Sequence, residues 1–206
     1  MQRSLLFSLC FSLSGVSCGL AGAQAKPTAT RLLSPSAFVL IGKTYTGLMG
    51  DERPNVWDGG RNATLTAGLD VGFYSFGHYT VGAEVRGSVP LVSGKTVADR
   101  ALLGGARLSY ESNFPVRPYI DVLVGRGQMD YKSGGYVSGN QIYKQTAGTV
   151  YGGGIGAEWD LLQQISLKVD VQAQRWPTPV VDRGFVNSVQ GSIGLAYRFG
   201  AGRDPR

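Results

Sequence analysis

The charged residues of this chain recur at alternate positions. Glu84 and Arg86 stand two apart, as do Lys168 and Asp170, and Arg107 and Glu111 share that spacing with Ser109 between them. Asp70, Asp121, Glu158 and Arg198 each lie singly between apolar or aromatic neighbours. In an extended strand a spacing of two puts side chains on one face. The ten residues Asp70, Glu84, Arg86, Arg107, Glu111, Asp121, Glu158, Lys168, Asp170 and Arg198 are thereby candidates for one shared interior network. Charges withdrawn from water must be paired, so the chemistry on offer is ion pairing across an interior, or gated ion passage if the pairs can switch.

Catalysis and metal binding are poorly provided for. The one histidine, His78, falls in the tight turn Ser75-Phe76-Gly77-His78, with no His-any-Ser arrangement beside it. Both cysteines, Cys10 and Cys18, lie near the N-terminus, which leaves no zinc or iron ligand spacing. The runs Gly152-Gly153-Gly154 and Gly104-Gly105 precede neither a helical pattern nor a Lys-Ser/Thr pair, so they read as close strand packing and not as phosphate loops. The expectation is a non-enzymatic protein without catalytic residues, cofactor or metal.

The elements that would carry these charges are strands. Residues 62–74 alternate Leu65, Ala67, Leu69, Val71 and Phe73 against Thr64, Thr66, Gly68, Asp70 and Gly72, and residues 79–90 set Tyr79, Val81, Ala83 and Val85 against Thr80, Gly82, Glu84 and Arg86. Further strands are expected at 37–47, 101–111, 117–130, 147–160, 164–176 and at the C-terminus, about eight in all. The facing of the first is open, because its first half is apolar on both sides. In the fifth, Arg126 shares a face with Val122 and Val124, so it either reaches an interface or is turned by a bulge near Gly125 and Gly127. Connections after the second, fourth and sixth strands are short. The others are long and polar, and residues 131–146 read as loop.

Length and composition agree with one all-β domain. Among 206 residues are 31 Gly, about twice the usual ~7%. The net charge of +6 is scattered, and no basic run marks a nucleic-acid groove. Arg3, the apolar residues 5–20 and Ala23-Gln24-Ala25 compose a cleavable signal peptide over 1–25, so the mature chain would carry no cysteine. Lipidation of Cys18 is the sharper alternative, but Gly15-Val16-Ser17 lacks the usual lipobox leucine. Residues 26–36 are expected to be a periplasmic leader and 200–206 a short tail. After residue 25 no apolar run approaches the ~20 residues of a transmembrane helix, so any span must be built from strands.

The last strand completes the pattern. Ile193, Leu195, Tyr197 and Phe199 face one way, and Ser192, Gly194, Ala196 and Arg198 the other. Ser192, Gly194, Tyr197 and Phe199 fill the fixed positions of the C-terminal assembly signal of bacterial outer-membrane barrels, although seven residues follow. Over residues 37–199 the chain resembles the small outer-membrane β-barrels of the OmpA/OmpX type, on that signal, the Glu84/Arg86 strand, the Arg117-Pro118-Tyr119 strand start and the Gly-rich sixth strand.

The resemblance implies an eight-stranded antiparallel up-and-down transmembrane barrel in the bacterial outer membrane. Its role would be structural or interactive, with loops presented outside and a charged, mostly plugged lumen. The implied partners are outer-membrane lipids and lipopolysaccharide, the barrel-assembly machinery through the final strand, and an extracellular ligand at loop aromatics such as Trp57, Tyr131, Tyr136, Tyr143 and Phe185. A narrow gated channel, a lipid A-modifying enzyme and a secreted barrel with its greasy face inside are the alternatives. Two aromatic belts are expected. Phe73, Phe76, Tyr79, Tyr110, Phe114, Tyr119, Trp159, Tyr197 and Phe199 would form one at the short-turn end, and Tyr45, Tyr131, Tyr143, Tyr151 and Trp176 the other.

Overall fold

The computed structural model describes residues 34–47, 61–92, 97–111, 114–131, 134–138, 140–179 and 184–199. The expected signal peptide, most of the leader, the C-terminal tail and Trp57 lie outside them. The long strands are β1 (Ser34–Gly47), β2 (Arg61–Phe76), β3 (Tyr79–Val92), β4 (Val97–Tyr110) and β5 (Val116–Tyr131). After them come the short β6 (Tyr136–Ser138) and β7 (Gln141–Tyr143), then β8 (Gln145–Asp160), β9 (Ile165–Pro177) and β10 (Phe185–Arg198).

Eight strands close into an antiparallel barrel in the order β1-β10-β9-β8-β5-β4-β3-β2, and β6 and β7 pair with each other. Closure through β1 and β10, from Ser36↔Arg198 to Gly47↔Asn187, leaves the wall without an open edge. The alternation read from the sequence becomes inside and outside. Val39, Ile41, Leu69, Val85, Leu102, Val122, Ile155 and Leu195 are all exposed on the outer wall, while Glu84, Arg86, Asp121, Lys168 and Asp170 are buried within it. An outer surface this apolar matches lipid far better than water.

Several strands run further than expected, because interior contacts override polar composition. β4 starts at Val97, four residues early, since Asp99 turns inward to accept a hydrogen bond from Thr46 while Arg100 turns outward to Asp130. β1 begins at Ser34, inside the expected leader, paired with Gly72 of β2. The expected loop 131–146 contains the β6–β7 ribbon, entered through Gly134 and Gly135, whose positive φ values of 92° and 104° suit glycine.

The facing of β1 is settled by Phe38 and Leu40, which are buried inside, with Val39 and Ile41 outside. Around Arg126 the ladder is continuous, Leu102↔Arg126 on one side and Arg126↔Thr149 on the other, so no bulge turns it and it points outward. The aromatic belts need correction. Phe73, Phe76, Tyr79, Tyr110, Phe114, Trp159, Tyr197 and Phe199 do ring the outside of the short-turn end, but Tyr119, Tyr131 and Trp176 are buried inside the barrel. They occupy inward positions of β5 and β9, where alternation outranks the preference of an aromatic for an interface.

Candidate functional site: the charged lumen

Six consecutive strands of the barrel, from β2 through β3, β4, β5 and β8 to β9, bring the central charges together. β3 supplies Glu84 and Arg86, β4 Arg107, β5 Asp121, and β9 Lys168 and Asp170, with Asp70 and Glu158 added from β2 and β8. Arg86 is the hub. Its Nε donates to Glu84 Oε1 at 2.6 Å, and its two terminal nitrogens fork onto the two oxygens of Asp170 at 3.0 and 3.1 Å. One of those nitrogens also lies 3.4 Å from Asp121. The fork is the bidentate geometry that makes arginine–carboxylate pairs strong, and all four side chains are almost fully buried.

A second cluster lies toward the short turns. Arg107 reaches Asp70 at 3.0 Å and Glu158 at 2.6 Å, and Lys168 lies 3.5 Å from Glu84 and 3.7 Å from both Asp70 and Glu158. Aromatic faces complete the shells of these cations. Lys168 Nζ is 3.7 Å from the centroid of the Phe38 ring, and Arg107 stacks 3.8 Å from that of Tyr119.

Five carboxylates thus share three cations in the middle of the lumen. Neutral donors serve the remaining oxygens. Gln172 donates to both oxygens of Asp121, at 3.0 and 2.8 Å, and to Asp170 at 3.1 Å, while Tyr119 Oη donates to Asp170 at 2.8 Å. At Asp121 and Asp170 the fit follows the requirement that buried charge keep its hydrogen bonds, whereas Asp70 Oδ2 meets Arg107 and Lys168 as ion pairs only.

Of the ten residues selected from the sequence, eight join this buried pair of clusters. Arg198 stands at the short-turn rim, bonded to Asp160 at 2.5 Å and 3.7 Å from Glu158. Glu111 departs from the expectation. β4 ends at Tyr110 and the Glu111 amide is held by the His78 carbonyl, so its side chain is exposed at the rim and lies outside the buried set. The rim encloses a 330 Å3 polar vestibule lined by Asp70, Arg107, Glu111, Arg117, Glu158 and Arg198.

Sequence reasoning missed Arg117, which bridges Glu158 and Asp160 at 3.3 and 2.8 Å, and also Tyr119, Gln172 and Phe38. Alternation could have found three of them: Arg117 and Tyr119 share a face with Asp121, and Gln172 shares one with Asp170. Nothing local marks Phe38, because its partner Lys168 arrives from a strand more than a hundred residues away.

Toward the long loops the lumen changes character. Leu103, Leu123, Met129, Tyr131, Val150, Trp176 and Val186 pack as one buried cluster. Opposite them Thr44, Thr64, Thr66, Ser188 and Gln190 are buried as well, with Gln190 donating to Thr66 at 2.8 Å. Tyr131 and Thr178 share a 2.5 Å hydrogen bond at the top.

The four assembly-signal residues divide between the two faces. Tyr197 and Phe199 are outside with their rings edge to face at 5.1 Å, whereas Ser192 points inward, 3.4 Å from Asp170. Gly194 has a packing reason of its own: a Cβ there would meet the Val39 carbonyl and the Leu40 Cα across the ladder. Among the loop aromatics, Tyr143 is half-buried against the apolar cluster and Phe185 lies beneath Arg175, 3.4 Å from ring centroid to guanidinium.

No family model and no curated protein sequence matches the chain. Solved structures do match in fold. Neisserial surface protein A superposes with a TM-score of 0.51 at 12% identity, over 81% of this chain and 97% of that one. Ail, the attachment invasion locus protein of Yersinia pestis, gives 0.46 at 13% identity over 81% and 97%. The N-terminal barrel domain of OprF from Pseudomonas aeruginosa gives 0.38 at 11% over 80% and 97%. At such identities the likeness is one of fold: the chain has the closed eight-stranded architecture of the small outer-membrane barrels.

Proposed function

We propose that this protein is an integral outer-membrane barrel whose lumen is plugged, exported by a signal peptide over residues 1–25, with a structural and surface-presenting role. The observation that carries the reading is the division of the wall, with an apolar outside and a buried, mutually paired charge network inside. Ion pairs of that burial hold strands together and leave little room for a continuous water path. The partners that follow are membrane lipids, the assembly machinery recognising Ser192, Gly194, Tyr197 and Phe199, and a ligand at the exposed loops, where Ile142, in the middle of β7, is 62% exposed. Enzymatic activity forms no part of it, and the His78 ring merely tilts against Tyr110 at 5.8 Å in the short turn.

Two measurements test this. Unboiled protein extracted in detergent should migrate at a different apparent mass from boiled protein in dodecyl sulfate, since a closed ladder resists the detergent until heated. Equal mobility together with solubility in plain buffer would overturn the membrane reading. In planar bilayers the wild type should give no steady conductance. The vestibule favours a second reading, a narrow channel gated at the Arg107–Glu158 pair, and a reproducible open state would establish it in place of the plug.

A further inference from the structure

Basic residues are sorted by face and height in this barrel. Among the described residues, Arg86, Arg107, Arg117, Lys168 and Arg198 point into the lumen, in its middle and short-turn part. Lys43, Arg61, Arg100, Arg126 and Arg175 point outward, and all five belong to the long-loop half. Lys43, Arg100, Arg126 and Arg175 lie nine or ten positions from the short-turn ends of their strands. With a rise of about 3.3 Å per residue and a tilt of about 45°, that is roughly 22 Å along the barrel axis, close to the far edge of an apolar band about 25 Å tall.

The outward acids do not balance them. Among the described residues only Asp130 is an outward-facing carboxylate, and it is engaged by Arg100 at 2.5 Å and by Gln128 at 2.8 Å. Arg175 rests on Phe185, and Arg61 on Tyr45 at 5.1 Å. No carboxylate among the described residues pairs with Arg126, whose ladder neighbours are Leu102 and Thr149. Val124, Tyr151 and Arg175 form the next row of the sheet, so exposed Leu102, Val124 and Tyr151 surround the two arginines. Two strand spacings and two residues separate Arg126 from Arg175, on the order of 12 Å.

We infer that the outward face of β4, β5, β8 and β9 at this height, centred on Arg126 and Arg175 with Arg100 beside them, binds the phosphates of an anionic lipid in the leaflet on the long-loop side. The inference rests on the membrane reading above. A cation set among exposed apolar side chains is costly in hydrocarbon and unsuited to a fully hydrated partner, but it suits an amphiphile that brings acyl chains and phosphate together. The spacing of the two arginines suits a headgroup with two phosphates, each held by the guanidinium fork.

The test uses full-length mature protein reconstituted in phosphatidylcholine nanodiscs, with diphosphoryl and monophosphoryl lipid A as probes and retention read by native mass spectrometry. Wild-type protein should retain the diphosphoryl form preferentially. The double variant Arg126→Gln with Arg175→Gln should lose about tenfold or more of that retention, the loss expected from removing charge-assisted hydrogen bonds. Arg126→Lys with Arg175→Lys should keep most of the charge attraction and lose the preference for two phosphates. Equal retention of both lipids by the wild type, or undiminished retention by the glutamine variant, overturns the proposal. Displacement by inorganic phosphate at concentrations matching the lipid also overturns it, since the site would then recognise a free anion. The heat-dependent gel shift of each variant reports separately on the barrel, so failure of the membrane reading is distinguishable from failure of the lipid site.

Discussion

The two halves of the lumen are enclosed by the same eight strands at the same inward pitch, yet they are filled by different physics. In the half nearer the short turns, Arg86, Arg107 and Lys168 bind five carboxylates through directional contacts. On one side of the half nearer the long loops, Leu103, Leu123, Met129, Val150 and Trp176 fill the space by shape, facing the buried hydroxyls and amide of Thr44, Thr66 and Gln190. The contrast shows that alternation specifies only which residues face inward. What closes each level of the barrel depends on which side chains meet there from strands far apart in sequence. The charged level is brittle, because losing one member strands the others, whereas the apolar level loses only volume.

Substitutions can break or sharpen that contrast. The largest effect is expected for Arg86→Leu, which leaves Glu84, Asp121 and Asp170 without their shared cation. Urea unfolding in lipid vesicles should show a loss of about 3–5 kcal/mol, the cost of breaking a buried ion pair from one side. A loss below ~1 kcal/mol would mean that the network is wet and that the two halves do not differ as described. Leu123→Ala, in the apolar level, should cost about 3 kcal/mol by the same measurement, as a buried leucine leaves a partly collapsed cavity. Its cost should be insensitive to salt, and strong salt dependence would contradict a dry apolar layer.

Smaller changes grade the charged level. Tyr119→Phe removes the single hydrogen bond to Asp170 while keeping the ring under Arg107, so about 1 kcal/mol should be lost. Arg100→Gln breaks the outward pair with Asp130, in which the arginine is largely exposed, and should change the unfolding free energy by less than ~1 kcal/mol, as exposed pairs do. If Arg100→Gln proved as costly as Arg86→Leu, burial would not be what makes the inner network matter.

Much of the fold was readable in the chain. β2, β3, β8 and β9 alternate so regularly that inside and outside were set before any strand was paired. The short connections near Gly77-His78, Ser112-Asn113 and residues 161–164 fixed which ends lie together. Where the reading fell short, the residues have a mixed local pattern: Phe38 and Leu40 on a face that is apolar both ways, Asp99 and Arg100 at the start of β4, and Tyr119, Tyr131 and Trp176, whose type suggested an interface while their position pointed inward.

The sequence by itself determined the face of most side chains, because a period of two is local and needs no partner. It also determined that ionisable residues would be enclosed. Only the tertiary structure decided their grouping: that Arg86 forks onto Asp170 from a strand 84 residues away, that Lys168 rests on Phe38, and that Glu111 stays at the rim. It also decided that, among the described residues, no carboxylate pairs with the outward-facing Arg126. The reason is that register, closure and shear set which inward and outward residues share a level, and those are properties of all eight strands taken together.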